Sequence, residues 1–249
     1  MSSVHPKEYL FDHLVIMGRD NLDALGELFQ GKGFHLSPLA HHNLGSSNRL
    51  IMLDTSYIEL LGWEKGKQVQ RAEIANQAIG LDALVFRTDD ANACYEQLKS
   101  SGFAVNPVQD LSREGEFMGS KVLVEFKTVR FSEQPIPGLR IYFCEHLTPE
   151  YVWQDQWLIH ANGMNSLKQI IIASSDINNA AACLMKLLNL DPKKCSEDQD
   201  SIRIKLPNIE LCLQIQNTDE GAHIISARLQ QDSADPVDFI IDQHFLTQI

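Results

Sequence analysis

The chain of 249 residues lacks the features that would assign it to a membrane, to nucleic acid or to a disulfide-rich class. No apolar run approaches the roughly 18–20 residues that span a bilayer, and the first residues lack the charged-then-apolar pattern of a secretory signal. The net charge of −12 disfavours nucleic-acid backbones and anionic membranes as partners. The 5 cysteines are scattered and form no CxxC pair, so we expect neither a zinc knuckle nor a disulfide framework. These absences predict a cytoplasmic protein with reduced thiols.

Motifs of several common enzyme classes are missing as well. The sequence has no GxSxG elbow, no GxGxxG after a strand, no Walker loop and no HExxH helix. Apolar content of 44% and charged content of 22% are ordinary for a globular protein, and the length allows one large domain or two small ones.

What the chain does contain is an internal repeat. Each copy reads as an apolar strand, an aspartate, a helix-like run and an apolar residue that opens another extended stretch. The copies occupy residues 11–34, 81–103 and 167–190. Asp20, Asp90 and Asp176 align between the copies, and Asp20 is placed to cap the helix that follows it. A spacing of about 70–85 residues is too long for a solenoid, so the repeat indicates a small βαβ-type module used several times.

The extended segments define how these modules are organised. In both of the first two copies the order is strand, helix, strand, strand, strand, and the strand after the helix is predicted at 34–39 and at 103–108. The predicted modules are 8–64 and 80–146, within a domain 8–150, followed by a degenerate third module and a partial fourth at 161–249. The predicted fold class is α+β, with repeated βαβββ modules forming a cup-shaped, curved mixed sheet and a second, incomplete module pair behind it.

Four stretches carry a family resemblance. They read DHLVI at 12–16, HHNLGSSNRL at 41–50, YIELL at 57–61 and EHLTPEYVW at 145–153. In this order they resemble the glyoxalase-like subfamily of the vicinal oxygen chelate superfamily, which includes glyoxalase I, the bleomycin-resistance proteins and extradiol dioxygenases. The resemblance implies paired βαβββ modules around a ligand. The chain departs from the subfamily pattern where His42 replaces a proline and Ser46 replaces a threonine.

The resemblance also implies a metal site. Superfamily ligands come from the first and last strands of a module, and His13 and Glu59 stand at those positions. Imidazole and carboxylate suit a divalent zinc, nickel, iron or manganese ion. Ala83 stands where the second module would supply its first-strand ligand, so the set is incomplete. The alternative is that His13 and Glu59 form a hydrogen-bonded polar pair that orients a polar ligand. Gln169 and Glu210 echo the pair in the third module, where we expect a structural role.

Further candidates lie outside this pair. His41 is predicted to lie near the ligand as an acid, a base or a third metal ligand, which makes it a catalytic candidate together with His13 and Glu59. His42 is given less weight, because its loop also suits a plain surface turn. The predicted substrate contacts are Asn48, Lys127, Tyr142 and His146. For Lys127 the alternative is an outward, solvated strand face.

The leading hypothesis is a glyoxalase-like protein that binds a small oxygenated metabolite in the cup between modules one and two. If the protein is an enzyme, the resemblance implies metal-dependent lyase or isomerase chemistry. The alternative function is a non-catalytic binding or sequestering protein of the bleomycin-resistance type. An extradiol dioxygenase is disfavoured, because Gln169 stands where a histidine ligand is required. The expected partner is a small molecule, and a homodimer remains open.

Overall fold

A computed structural model describes residues 9–67, 72–217 and 221–249. The N-terminal half contains helices α1 (Leu22–Gly31), α2 (Ala72–Ala75) and α3 (Ala91–Ser100). Its strands are β1 (Leu10–Arg19), β2 (Ala40–His41), β3 (Ser47–Met52), β4 (Tyr57–Gly62), β5 (Gly80–Arg87), β6 (Gln109–Phe117), β7 (Ser120–Arg130) and β8 (Arg140–His146). The C-terminal half contains β9 (Met164–Ser174), α4 (Ile177–Leu187), β10 (Cys195–Asp198), β11 (Ser201–Lys205), β12 (Glu210–Ile215), β13 (His223–Gln231), β14 (Asp238–Asp242) and α5 (Gln243–Leu246). No helix in these ranges is long and apolar enough to cross a bilayer.

The N-terminal strands form one curved eight-stranded sheet in the order β2-β3-β4-β1-β5-β8-β7-β6. Within each module the first strand pairs in parallel with the last, β1 with β4 and β5 with β8, while β1 and β5 pair antiparallel at the centre. The two edges of the sheet then meet. His42 bridges Arg113, and the Asn43 backbone N–H donates to the Ser112 carbonyl at 2.9 Å. We call this contact between the β2 and β6 edges the seam; it turns the sheet into a nearly closed cup.

The C-terminal strands form a second sheet of six strands in the order β10-β11-β12-β9-β13-β14. The segment from β9 to β12 repeats the module pattern, and β13, β14 and α5 follow it. One continuous apolar core joins the outer face of the first sheet to the second sheet, with helices α1, α3 and α4 contributing to it. Aromatic rings of the two halves pack edge to face, with ring centroids 5.1 Å apart for Phe29 and Phe245 and 5.1 Å apart for Phe34 and Phe239. The α+β fold predicted from the repeat is confirmed.

The predicted strands at 34–39 and 103–108 are wrong. The first segment is irregular, and only Ala40–His41 of β2 follows it. The second contributes one bridge, between Val105 and Phe131, while the edge strand of that module is β6. Charged residues alternate through Gln109–Phe117, and one side of an edge strand faces solvent, so the segment carries little of the apolar signal that marks a strand.

Helix caps follow the predicted aspartates only in part. Asp90 accepts hydrogen bonds from the backbone N–H groups of Asn92 and Ala93, and Asp176 accepts one from Asn179. Asp20 was expected to cap α1, but Asn21 holds the cap position and makes no side-chain cap bond. Arg19 adopts a positive φ of 54°, which turns the chain one residue later than in the other modules.

This difference makes a prediction for stability. Asp90→Ala should lower the free energy of unfolding by about 1 kcal/mol, because two N–H groups of α3 lose their acceptor. Asp20→Ala should change the same quantity by less than about 0.5 kcal/mol, because the side chain is exposed and caps nothing. Urea unfolding of both variants beside the wild type measures the contrast, and equal losses would contradict the assigned caps.

Candidate functional site

The inside of the cup holds a second, separate apolar cluster that surrounds a small polar centre. Strand alternation puts His13, Val15 and Met17 of β1 on the cup side, while Leu14 and Ile16 face the main core. The free space at the centre is about 30 Å³, enough for roughly one or two waters. Its lining residues are His13, His42, Asn48, Leu50, Tyr57, Glu59, Leu111, Arg113, Phe126, Thr128, Arg130, Tyr142 and Cys144.

His13 and Glu59 meet at this centre, as the sequence predicts. His13 Nε2 lies 3.6 Å from Glu59 Oε2 and 3.2 Å from the Tyr142 hydroxyl. The other Glu59 oxygen, Oε1, accepts a hydrogen bond of 2.7 Å from the Asn48 side-chain amide. The imidazole stacks on Tyr57 with ring centroids 4.4 Å apart. All of these residues are buried, with at most 7% of each exposed, so their polar atoms depend mainly on one another rather than on solvent.

A β-bulge supplies a residue that the sequence analysis missed. Where β1 pairs with β5, Phe11 faces Phe86 and His13 faces Val85, so Asp12 is an extra residue on β1. Its carboxylate is completely buried, and Oδ2 lies 2.7 Å from His13 Nδ1. A bulge re-aims side chains, and here it lets two adjacent residues bond to each other. A charged residue inside the apolar run FDHLVIM is the signal that could have identified it.

Asp12 has two further partners. Its Oδ2 is 2.9 Å from Nε2 of His146, and its Oδ1 accepts a hydrogen bond of 2.6 Å from Arg87 Nε. Burial alone would raise the pKa of Asp12, but the charge of His146 and hydrogen bonds from both histidines hold that pKa well below its ordinary value. His146, predicted to contact substrate, therefore lies behind the centre, where its imidazole holds Asp12.

The electrostatics of the centre favour charged forms. Burial would lower the pKa of His13, but the hydrogen bond to Asp12 and the nearby Glu59 raise it above its ordinary value. Burial would raise the pKa of Glu59, but His13, His42 and Asn48 hold it far below the ordinary value. The raised pKa favours an imidazolium at His13, which lies between the carboxylates of Asp12 and Glu59 with the Tyr142 hydroxyl beside it.

Pairing registers show how the two modules differ at this point. In module one Glu59 of β4 pairs with Val15 of β1, and at the equivalent position of module two Tyr142 of β8 pairs with Val85 of β5. Tyr142 thus takes the place of a second carboxylate, just as Ala83 takes the place of a second histidine. The pseudo-symmetric cup keeps two of the four positions that the superfamily uses for metal ligands.

Some of the remaining predicted residues line the centre of the cup, and others lie outside it. Asn48 and Tyr142 line the centre. His41 does not: its side chain is 55% exposed and contacts Ser47 and Glu64, whereas His42 is buried and lines the centre. The emphasis on His41 over His42 therefore does not match the structure, because β2 runs along the rim and turns alternate side chains outward. Lys127 lies outside the cup too, since β7 presents Phe126, Thr128 and Arg130 inward.

The donors at the centre do not fit a catalytic metal ion well. Such sites usually have three protein ligands, and His13 with Glu59 provides two. Among the described residues, one group of three His, Cys, Asp or Glu side chains has its ligand atoms within 4.8 Å of one another: Asp12, Cys144 and His146. That group could hold a metal ion, but Arg87 already bonds to Asp12, and burial raises the pKa of Cys144 well above its ordinary value, which disfavours a thiolate ligand.

The centre opens towards solvent through a larger cleft of about 900 Å³. Leu50 and Arg113 line both spaces and so connect them. The cleft runs between the β6–β7 hairpin and the segment after β8, whose two 3₁₀ turns, Pro149–Tyr151 and Asp155–Trp157, form one wall. The reactive part of a ligand would fit the centre, and its remainder would lie in the cleft, which has the size of ordinary small-molecule sites.

The chain matches a family model described as a glyoxalase-like domain over residues 11–188. It belongs to the glyoxalase-like domain family. Three solved structures share its vicinal oxygen chelate fold. A hypothetical protein from Staphylococcus aureus is 16% identical, with a TM-score of 0.70 and coverage of 91% of this chain and 93% of that one. At such identity the likeness shows the fold of this glyoxalase-like protein and not its activity.

The other two structures are named for dioxygenase-type enzymes. A xylose isomerase-like TIM barrel/4-hydroxyphenylpyruvate dioxygenase fusion protein is 13% identical, with a TM-score of 0.54, covering 92% of this chain and 38% of that one. A mutant of 4-hydroxymandelate synthase from Streptomyces coelicolor is 12% identical, with a TM-score of 0.51, covering 84% and 63%. The glyoxalase-like chain thus spans 38% of the first and 63% of the second, less than two thirds of either. No curated protein matches its sequence.

The charged centre predicts how stability depends on pH. Because the pKa values of Asp12 and Glu59 are lowered by folding, their stabilising effect is complete above about pH 5 and is lost as pH falls through the folded values. The raised pKa of His13 acts in the opposite direction: its contribution is complete below about pH 6 and is lost as pH rises through the folded value.

We test this with Glu59→Gln, which removes one carboxylate. The difference in free energy of unfolding between wild type and variant should be largest near pH 5–6 and shrink below about pH 4, where the unfolded wild type takes up a proton. Glu27→Gln, on the exposed face of α1, is the matched control and should show no such trend. A Glu59→Gln difference that stays constant with pH would contradict an ionised, paired Glu59.

Proposed function

We propose that this protein binds a small oxygenated metabolite at the centre of the cup and moves a proton on it, in lyase or isomerase chemistry. The supporting observation is the convergence of His13, Glu59 and Tyr142 in a buried space that leads to an open cleft. An enediolate or similar oxyanion is stabilised by hydrogen-bond donors that are shielded from solvent and held in place, and a neighbouring carboxylate can take up the proton.

Each residue at the centre has a distinct part in this proposal. His13 Nε2 donates to the oxygen on which negative charge develops, and Asp12 on its other nitrogen keeps the ring charged and oriented. The 3.6 Å between His13 Nε2 and Glu59 Oε2 is longer than an ordinary hydrogen bond, so a ligand oxygen can replace Glu59 as the closer acceptor. Glu59, released from the imidazolium in this way, becomes a stronger base, and Asn48 holds its carboxylate in place.

Two alternatives remain as proposals. In one, His13 and Glu59 would hold a zinc, nickel, iron or manganese ion, which would polarise the oxygens of the ligand. In the other, the cup only sequesters its ligand, as the bleomycin-resistance branch does. The replacement of a metal-ligand position by Tyr142 favours chemistry or binding carried by the side chains themselves. Elemental analysis of protein purified without chelators tests the first alternative. Near-stoichiometric metal in the wild type that is lost in His13→Ala would support it.

The functional prediction concerns proton exchange. Hydroxyketones and 2-hydroxyaldehydes incubated with the protein in D₂O should exchange the hydrogen next to the carbonyl, followed by ¹H NMR. His13→Ala and Glu59→Gln should slow this exchange at least 100-fold, within the range typical of general acid–base groups. His244→Ala, an exposed histidine of α5, is the control and should exchange at the wild-type rate.

The outcomes separate the hypotheses. Saturable binding that depends on His13 but gives no exchange would favour the sequestering function. Unchanged binding and exchange in a folded His13→Ala/Glu59→Ala double variant would overturn the cup as the functional site. Circular dichroism and the melting temperature of each variant establish that it is folded.

A further inference from the structure

Arg113 is a buried cation that forms no direct ion pair in the described part of the chain, although the charge of Glu59 acts on it at longer range. It lies on β6 at the seam, where its backbone bridges His42. Only 8% of the residue is exposed, and its Nε has no hydrogen-bond partner. Its guanidinium makes a long hydrogen bond of 3.4 Å from Nη1 to the backbone carbonyl of the next residue, Glu114. The side chain reaches the boundary between the centre of the cup and the cleft, and it lines both.

Other arginines of the cup wall are compensated in a way that Arg113 is not. Arg140 pairs with the buried Asp82, and Arg87 pairs with Asp12. A buried ion without a partner costs free energy, and natural interiors usually avoid it by pairing or by an apolar replacement. Burial lowers the pKa of Arg113, but a guanidinium stays protonated in proteins. The site therefore has a permanent positive charge that Glu59 offsets only at a distance and that no direct ion pair compensates in the part of the chain that the structure describes.

Asn48 provides a second unsatisfied atom in the same space. Its amide nitrogen donates to Glu59 at 2.7 Å, while its Oδ1 is buried and has no hydrogen-bond partner. An amide oxygen accepts hydrogen bonds, so it calls for a donor such as a hydroxyl or an N–H. Among the described residues, the centre of the cup therefore lacks a direct ion-pair partner for Arg113 and a hydrogen-bond donor for Asn48 Oδ1.

We propose that the ligand of the cup is a carboxylate that also carries a hydroxyl or N–H donor. The inference rests on the proposed function in taking the cup as the ligand site. The ligand carboxylate pairs with Arg113, its donor bonds to Asn48 Oδ1, and its remaining part lies in the cleft along the Tyr151–Trp153 wall. In a protein of net charge −12, the overall field repels anions, so binding of a carboxylate depends on local positive charge such as that of Arg113.

Matched pairs of probes test the charge directly. Lactate is compared with lactamide, and phenyllactate with phenyllactamide, by calorimetric titration into the full-length protein. Each amide keeps the hydroxyl and the shape but lacks the negative charge. The carboxylates should bind roughly 10-fold to 100-fold more tightly than their amides, as expected for buried hydrogen bonds to a charged group. Phenyllactate should bind more tightly than lactate, because its ring packs against the Tyr151–Trp153 wall of the cleft.

The Arg113→Met variant gives a signature that a structural role for Arg113 would not produce. It should lose the preference for carboxylate over amide, while its melting temperature without ligand stays equal to or above that of the wild type, because an uncompensated buried charge is removed. Arg140→Met is the matched control. It leaves Asp82 buried and unpaired, so its melting temperature should fall.

Three results would overturn the assignment. One is a panel in which no carboxylate binds more tightly than its amide, including a panel in which none binds. Another is an Arg113→Met protein that keeps the carboxylate preference. The third is a melting temperature that falls as far in Arg113→Met as in Arg140→Met. Neutral ligands whose binding depends on His13 would leave the proposed function standing and reject only this inference.

Discussion

The site depends on one buried carboxylate. Asp12 has no exposed surface, and its two oxygens hold His13, His146 and Arg87. Without it, burial would drive the His13 imidazole to its neutral form, and the pairing with Glu59 would weaken. A buried carboxylate with three partners is stable only in this geometry, so the orientation of the histidine and its charge are fixed together.

The bulge that presents Asp12 is itself supported from the other half of the chain. Asn208, in the turn before β12, accepts a hydrogen bond from the Phe11 backbone N–H at 3.1 Å and donates to the Phe11 carbonyl at 2.8 Å. These two backbone groups lie next to the extra residue of β1, and Asn208 satisfies both. The C-terminal half thus supports the centre of the cup without lining it, which gives a physical reason for the two halves to share one core.

The sequence revealed the repeat, the fold class and the His13/Glu59 pair, because apolar periodicity and module alignment are local patterns. It did not reveal Arg113 or the ranking of His42 above His41. Both depend on closure of the seam, which joins residues about 70 positions apart through edge strands with weak apolar signals. The equivalence of Tyr142 and Glu59 also needed the strand register, since a shift of one residue moves a side chain to the opposite face of the sheet.

The most direct test of this account is the charge on His13, read from ¹⁵N NMR shifts of its ring nitrogens across pH 5–9. The account predicts an imidazolium that persists above pH 6.5, the ordinary midpoint for histidine, and that becomes neutral at lower pH in Asp12→Asn, which loses a partner that raises the His13 pKa. A His13 ring that titrates at or below the ordinary value in the folded wild type would contradict it, because the centre would then hold a neutral imidazole and no ion pair with Glu59.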